Sequence, residues 1–345
     1  MDILTEIQER LRTKTFNPIN KIKTNGCTCE GLIYEIDNGI IFVKRKDTED
    51  ALDMFQGEMI SLNKILQTQT IRVPKPYFVV IDPLSTKQCG AIVMEYLDLK
   101  PVEDWERFGS ELANLHLFNY VLGRKKKRLE SWVGGNLVRS EMSQKIDVDL
   151  AVKPEIYHIP DELIKQVEHV SQFGFDAPTC CGKIPQNNEW HDNWIEFYAR
   201  NKLQPQIDMV IETYGDRKII EHWSQLQLKI DKFFLDLTGP IEPALLHGDL
   251  WSGNTGQVVD DPVIFDPSSF YGHSEYDFAI ATLFGGFNRM FYDAYFRKIP
   301  QNKGFQKRND LYKLFHLFNH WNHFGRSYQN QSVELIKKLA NLNLD

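Results

Sequence analysis

The stretch Leu245-Leu246-His247-Gly248-Asp249-Leu250-Trp251-Ser252-Gly253-Asn254 constrains this chain more than any other feature, together with Val263-Ile264-Phe265-Asp266-Pro267, an apolar strand that ends in a second aspartate. Phosphoryl transfer asks for a carboxylate beside the attacking hydroxyl, then a carboxamide and another carboxylate to hold a divalent cation against the phosphates. Asp249, Asn254 and Asp266 are those residue types in that order. His-Gly-Asp alone is a common surface turn; the asparagine at a fixed distance and the aspartate at a strand end set this one apart.

The order His-x-Asp-x-x-x-x-Asn, followed by a strand-borne aspartate, is that of the catalytic loop and metal-binding strand of protein kinases. Gly248 stands where those enzymes carry Arg, and Pro267 replaces the Phe of their Asp-Phe-Gly. No activation segment follows, so switching by its phosphorylation is not expected. Such a site also needs a strand lysine for the α and β phosphates and a helical glutamate to position it. Ile40-Ile41-Phe42-Val43-Lys44 ends in that lysine. Glu58 lies in a helical segment, 51–67, at the edge of a stripe made by Leu52, Phe55, Met59, Leu62 and Leu66. The turn from Gly26 to Gly31, which includes Cys27, precedes the strand Leu32–Ile36; its glycines let backbone N–H groups approach phosphates, so it is the candidate cover for ATP. Strands at Tyr77–Ile81 and Ala91–Leu97 follow, and Glu95, Tyr96 and Leu97 are candidates for a hinge whose backbone bonds adenine. ATP and Mg²⁺ are the expected cofactors.

A chain of 345 residues suits two lobes: an ATP-binding lobe over 1–97, opened by an amphipathic helix at 2–14, and a catalytic and substrate lobe over 98–345. The expected class is α+β, with a small β-rich lobe and a mainly helical one. A net charge of −7 argues against nucleic acid, and no apolar run is long enough for a membrane. The basic run Arg124–Arg128 reads as a solvated loop. Five cysteines, two of them adjacent, and a start unlike a signal peptide point to the cytoplasm. In the second lobe Phe108, Leu112, Leu115 and His116 share a helix face, and Trp190, Trp194 and Phe197, at helical spacing, read as core, with a sugar-facing platform as the alternative. A long apolar helix is expected through Phe284 and Phe291, with Asp277 near its start as a cap or brace. His316, His320 and His323 lack the Glu that a helical zinc-protease motif places after its first His, so no metal is assigned to them.

Longer motifs carry a family resemblance. Leu246–Asn254, Asp266-Pro267-Ser268-Ser269-Phe270-Tyr271-Gly272-His273-Ser274-Glu275 and His320-Trp321-Asn322-His323-Phe324-Gly325-Arg326 resemble the fructosamine-3-kinase / ketosamine-3-kinase family, its animal members most. Asn25-Gly26-Cys27, Met54–Glu58, Arg72–Pro76, Glu95–Leu97, Phe173-Gly174-Phe175 and Asn188-Glu189-Trp190 extend the likeness over nearly the whole chain. The resemblance implies a two-lobed protein-kinase-like fold of the aminoglycoside phosphotransferase and choline kinase type. It also implies ATP-dependent phosphorylation of a ketosamine (ribulosamine, psicosamine or fructosamine), free or on a glycated protein, at the third-carbon hydroxyl. The phosphorylated sugar then leaves and frees the amine, which repairs the protein. In those terms Asp249 takes or orients the hydroxyl proton, Asn254 and Asp266 hold Mg²⁺, and Lys44, set by Glu58, contacts phosphates. Trp251 and His273 are candidate sugar contacts. Cys27, in the family's glycine-rich loop, would be a redox sensor, making the chain a monomer or a redox-dependent homodimer. Two alternatives stay open: a kinase of another small molecule, and a silent ATP-binding protein, whose expected mark is loss of one of the four polar site residues.

Overall fold

β-branched and aromatic residues on both sides of the Asp37-Asn38-Gly39 turn form the centre of an antiparallel sheet, with Gly39 at φ +130° where a side chain would be strained. The computed structural model describes residues 2–23, 29–81, 89–133 and 157–344, apart from the side chains of 22, 23 and 130–133. Gly26 and Cys27 lie outside the described residues. The described chain divides into two units: Met1–Asp104, Phe175–Asn188 and His247–Ser269 make the first, and Trp105–Gly174, Glu189–Leu246 and Phe270–Asp345 the second.

In the first unit the strands are β1 (Phe16–Lys23), β2 (Glu30–Ile36), β3 (Gly39–Lys46), β4 (Pro76–Ile81) and β5 (Gly90–Glu95), in the order β1-β2-β3-β5-β4. β2 begins before Gly31, which therefore lies in the strand opposite Lys44 rather than at the end of the turn. β1 is the element that sequence periodicity missed. It is an edge strand in which half of the residues are polar, and its register shifts between Pro18 and Asn20, because proline cannot donate to a ladder. Helix α1 (Ile3–Leu11) is capped by Asp2, whose Oδ1 accepts from the amides of Leu4 and Thr5 at 2.9 Å. It lays Ile3 and Ile7 against Leu32, Tyr34, Val43 and Val93 of the sheet.

Helix α2 (Ala51–Thr68) departs from the expected stripe. Its buried face runs through Met54, Phe55, Glu58, Ser61, Leu62 and Ile65, while Leu52, Met59 and Leu66 are half-buried. Glu58 thus sits inside the apolar face, which its ion pair with Lys44 permits.

The second unit is mainly helical. Helix α3 (Trp105–Val133) buries Phe108, Leu112, Leu115 and His116 together, as their spacing predicts. The run Arg124–Arg128 lies within α3 and is not a loop: Lys125 Nζ donates to the Ile159 carbonyl at 2.8 Å, and Lys126 pairs with Glu168 at 3.0 Å. The single helix expected after Asp277 is two, Asp277–Phe284 and Arg289–Lys298, broken at Gly285 (φ +74°) and Gly286 (φ +101°). Trp194 and Phe197 are core, whereas Trp190 is exposed, its ring tilted against that of Tyr271 with centroids 6.1 Å apart. No helix among the described residues is long and apolar enough to cross a membrane.

Candidate active site

β3 carries Lys44 inward, its side chain almost wholly buried. Its Nζ donates to Glu58 Oε2 at 2.9 Å and to Asp266 Oδ1 at 2.8 Å. Burial alone would push this ammonium down, but the carboxylates of Asp266 and Glu58 outweigh it and hold Lys44 well above its ordinary value. For Glu58 the balance is reversed: burial, reinforced by the like charge of Asp266, lifts its carboxyl to about 7 against the pull of Lys44. One cation faces two carboxylates, and Glu58 Oε1 is buried without a hydrogen-bond partner among the described residues. A set that is one positive charge short fits a divalent cation.

Asp266 follows the strand Asp261–Ile264, which is fixed by the bond from the Ile264 amide to the Arg72 carbonyl at 3.0 Å. Its φ of +55° is unusual for a residue with a side chain and turns its carboxylate out of the strand direction. The preceding loop is built around His247. The Asp249 amide donates to His247 Nδ1 at 3.2 Å, which leaves the ring proton on Nε2, where it is donated to the Phe265 carbonyl at 3.0 Å. The Ser268 amide donates to the His247 carbonyl at 2.8 Å. Through its ring and its carbonyl His247 ties the Asp249 loop to both sides of Asp266; the first letter of the His-x-Asp pattern is its signal. Gly248 has φ +83°, which explains why glycine rather than arginine precedes this aspartate.

Asn254 Nδ2 donates to the Asp249 carbonyl at 2.9 Å and to Asp249 Oδ2 at 3.2 Å. Its amide oxygen is thereby kept for another ligand, and with the Asp266 carboxylate it makes an oxygen donor set suited to Mg²⁺. The Trp251 ring folds back over Gly253, where a Cβ would lie 2.3 Å from it. At the end of β5, Glu95 pairs with Arg72 and accepts from the Lys75 amide at 3.2 Å; Tyr96 and Leu97 follow the strand.

In the second unit His273 is buried, with Nδ1 2.7 Å from the Tyr312 hydroxyl. That hydroxyl also accepts from Trp194 Nε1 at 2.9 Å. His273 and His116 border a cavity of about 110 Å³. Asp277 neither caps its helix nor faces solvent; it lies 3.1 Å from His116 Nε2.

Burial lowers His273 from 6.5 to about 4. The folded chain therefore binds fewer protons than the unfolded chain between those values, and the stability that neutral His273 contributes is full above pH 6.5 and lost as pH falls toward 4. At a pH of about 5 the expected loss is about 2 kcal/mol. Urea unfolding of the parent and His273→Gln at neutral pH and at about pH 5 checks it: equal losses in both proteins would remove His273 as the cause.

A small five-stranded sheet bearing a buried lysine–glutamate pair, with an Asp249–Asn254 loop and a strand-borne aspartate on the same unit, defines a kinase of the protein-kinase-like fold. The fold is that of a crystal structure of a candidate fructosamine-3-kinase from Haemophilus somnus 129PT, at a TM-score of 0.71 and 22% identity over 98% of this chain and 96% of that one. The chain belongs to the fructosamine kinase family, whose sequence model matches residues 1–127 and 152–342. It is 46% identical to a mouse ketosamine-3-kinase over 91% of this chain and 93% of that protein. It is 34% identical to a chloroplastic protein-ribulosamine 3-kinase of Arabidopsis thaliana over 92% of this chain and 82% of that protein.

Proposed function

We propose that the chain is an ATP-dependent ketosamine 3-kinase that phosphorylates ribulosamines, psicosamines or fructosamines, free or on glycated proteins, and so initiates deglycation and repair. The observation that carries this reading is Lys44 held between Glu58 and Asp266 in a chain 46% identical to a ketosamine-3-kinase. The sugar's 3-hydroxyl oxygen attacks the γ-phosphorus, its proton passes to Asp249, and the bond to ADP breaks. Lys44, oriented by Glu58, steadies the α and β phosphates. Mg²⁺, when bound, neutralises phosphate charge, and Asn254 and Asp266 are the residues to hold it. The backbone of Glu95, Tyr96 and Leu97 receives adenine, and the turn that holds Gly26 and Cys27, together with Gly31 of β2, covers the phosphates. The lobe boundary is drawn after Leu97.

Trp251 offers the sugar an apolar face, and His273 is a separate polar candidate. Trp251→Ala is expected to raise the sugar KM about 10-fold with a smaller change in kcat; unchanged kinetics would leave Trp251 a packing residue of its loop. The chain works in the cytoplasm as a monomer that oxidation of Cys27 converts to a less active, disulfide-linked dimer. Cys29 is a poorer sensor because it is buried. A Cys27→Ser protein as sensitive to peroxide as its parent would end that part of the reading.

Incubation with Mg-ATP and either a small fructosamine or the matching ribulosamine, followed by phosphorus NMR, tests the activity directly. Turnover of both marks a broad ketosamine kinase, and turnover of ribulosamine alone a narrower one. If neither is phosphorylated while ATP still binds, the reading fails in favour of another acceptor.

A further inference from the structure

The segment Phe175–Asn188 belongs to the first unit, although it lies far in sequence from both the sheet and the Asp249 loop. None of the roles assigned above uses it. It forms a short hairpin, β6 (Cys180–Cys181) and β7 (Ile184–Pro185), and fastens itself at the base: the Phe175 amide donates to the Asn188 carbonyl at 2.9 Å, and the Gln186 amide to the Thr179 carbonyl at 2.8 Å. Asn188 Nδ2 adds bonds to the Ala177 carbonyl at 2.9 Å and Thr179 Oγ1 at 2.8 Å.

This strap meets α2 and the loop that follows Asp266. Against α2 its Pro178 carbonyl comes so close that a Cβ on Gly57, the residue before Glu58, would lie 2.4 Å from it. Asp176 pairs with Lys64 of the same helix at 2.9 Å. Against the loop that follows Asp266, Gln186 Nε2 donates to Ser268 Oγ, and Thr179 Oγ1 donates to the Ser269 carbonyl at 3.2 Å. α2 and that loop also meet directly: the Ser269 amide donates to Ser61 Oγ at 3.3 Å, and Ser61 Oγ donates to the Gly57 carbonyl at 2.8 Å. Ser61, Thr179, Gln186, Ser268 and Ser269 are all more than nine-tenths buried.

A buried polar network of this kind holds one geometry, because each broken bond leaves a desolvated group behind. Its three sides are the helix that carries Glu58, the loop that carries Asp266, and the strap. Glu58 and Asp266 both bond Lys44, and as two carboxylates they repel each other. Lys44 attracts both carboxylates but does not fix how far apart their backbones stand. We infer that the strap sets this spacing, with Gln186 and Thr179 as positioning residues for the nucleotide site. The inference rests on the proposed kinase reading and adds to it a device where the chain has no activation segment: a clamp built into the fold and always engaged.

Its test is Mg-ADP binding by calorimetry and steady-state kinetics on Gln186→Leu, Thr179→Val and Ser268→Ala, with amide hydrogen exchange across α2 and residues 266–269. Gln186→Leu is expected to weaken Mg-ADP binding and raise the KM for ATP by about 10-fold, the size of one buried hydrogen bond. The sugar KM should hold and exchange in both segments should quicken. Gly57→Ala, which forces α2 off the strap without removing a polar group, should act in the same direction. The Gln186→Leu and Ser268→Ala effects should not add, since they break one bond. Variants that melt earlier yet bind Mg-ADP as the parent does would make the strap a purely structural element and overturn the inference. A parent that binds no Mg-ADP would overturn the kinase reading and the inference with it, so the two failures are distinct.

Discussion

Asp249→Asn is expected to lower kcat by about 1,000-fold, within the range of roughly 100- to 10,000-fold that a positioned general base contributes. The substitution is nearly isosteric. The backbone contacts that shape the loop, from the Asp249 amide to His247 Nδ1 and from Asn254 Nδ2 to the Asp249 carbonyl, do not involve the side chain. The side-chain bond from Asn254 Nδ2 to Asp249 Oδ2 needs only an acceptor oxygen, which an amide also has. The loss should therefore fall on proton transfer and on the orientation of the attacking hydroxyl. Nucleotide binding, which depends on Lys44 and Asp266, should be nearly unchanged. Single-turnover kinetics with saturating sugar, alongside Mg-ADP calorimetry, separates the two. A variant that keeps more than about a tenth of the parental kcat would show that Asp249 is not the base.

The site was legible wherever function fixes spacing within one segment, and less so wherever it depends on distant segments meeting. Asp249 and Asn254 are separated by a distance that the loop itself dictates, and the structure joins them. The places of Lys44 and Glu58 on a strand and a helix predict their pairing, but periodicity places Glu58 at the edge of an apolar stripe. Periodicity treats a carboxylate as solvent-facing, whereas here a buried lysine neutralises part of its charge. β1 escaped because an edge strand with a proline and alternating polar residues has neither the apolar period nor the ladder requirement of a central strand. The split at Gly285 and Gly286 lay in the sequence as a glycine pair, and the apolar residues on either side hid it. The strap gave no local signal of its partners: Thr179 and Gln186 are ordinary polar residues until the fold brings Ser268 and Ser269 to them.

The second large effect concerns stability. Replacing Arg308 with Met is expected to cost about 3–5 kcal/mol, because it leaves a buried carboxylate without its counter-charge. Residues 273, 275 and 277 each send a side chain to a buried partner: His273 to Tyr312, Glu275 to Arg308 and Asp277 to His116. Arg308 and Tyr312 are one helical turn apart on the helix Phe305–Phe324, so they meet residues spaced by two on the facing segment. The Arg308–Glu275 contact is bidentate, with Nε to Oε2 at 2.7 Å and Nη2 to Oε1 at 2.8 Å, and Nη1 also donates to the Lys303 carbonyl at 2.8 Å. Fully buried, the guanidinium has little water to exchange for these bonds. Removing it strands Glu275, whereas removing both charges does not. The double variant Arg308→Met with Glu275→Leu should therefore recover most of what the single variant loses, since a well-packed apolar pair can match a buried ion pair. Urea unfolding of the two single variants and the double completes the cycle. A loss below about 1 kcal/mol for Arg308→Met would place the pair in the range of solvent-screened surface pairs, and a double variant no better than the single would show that packing around the guanidinium stem, rather than its charge, holds this segment in place.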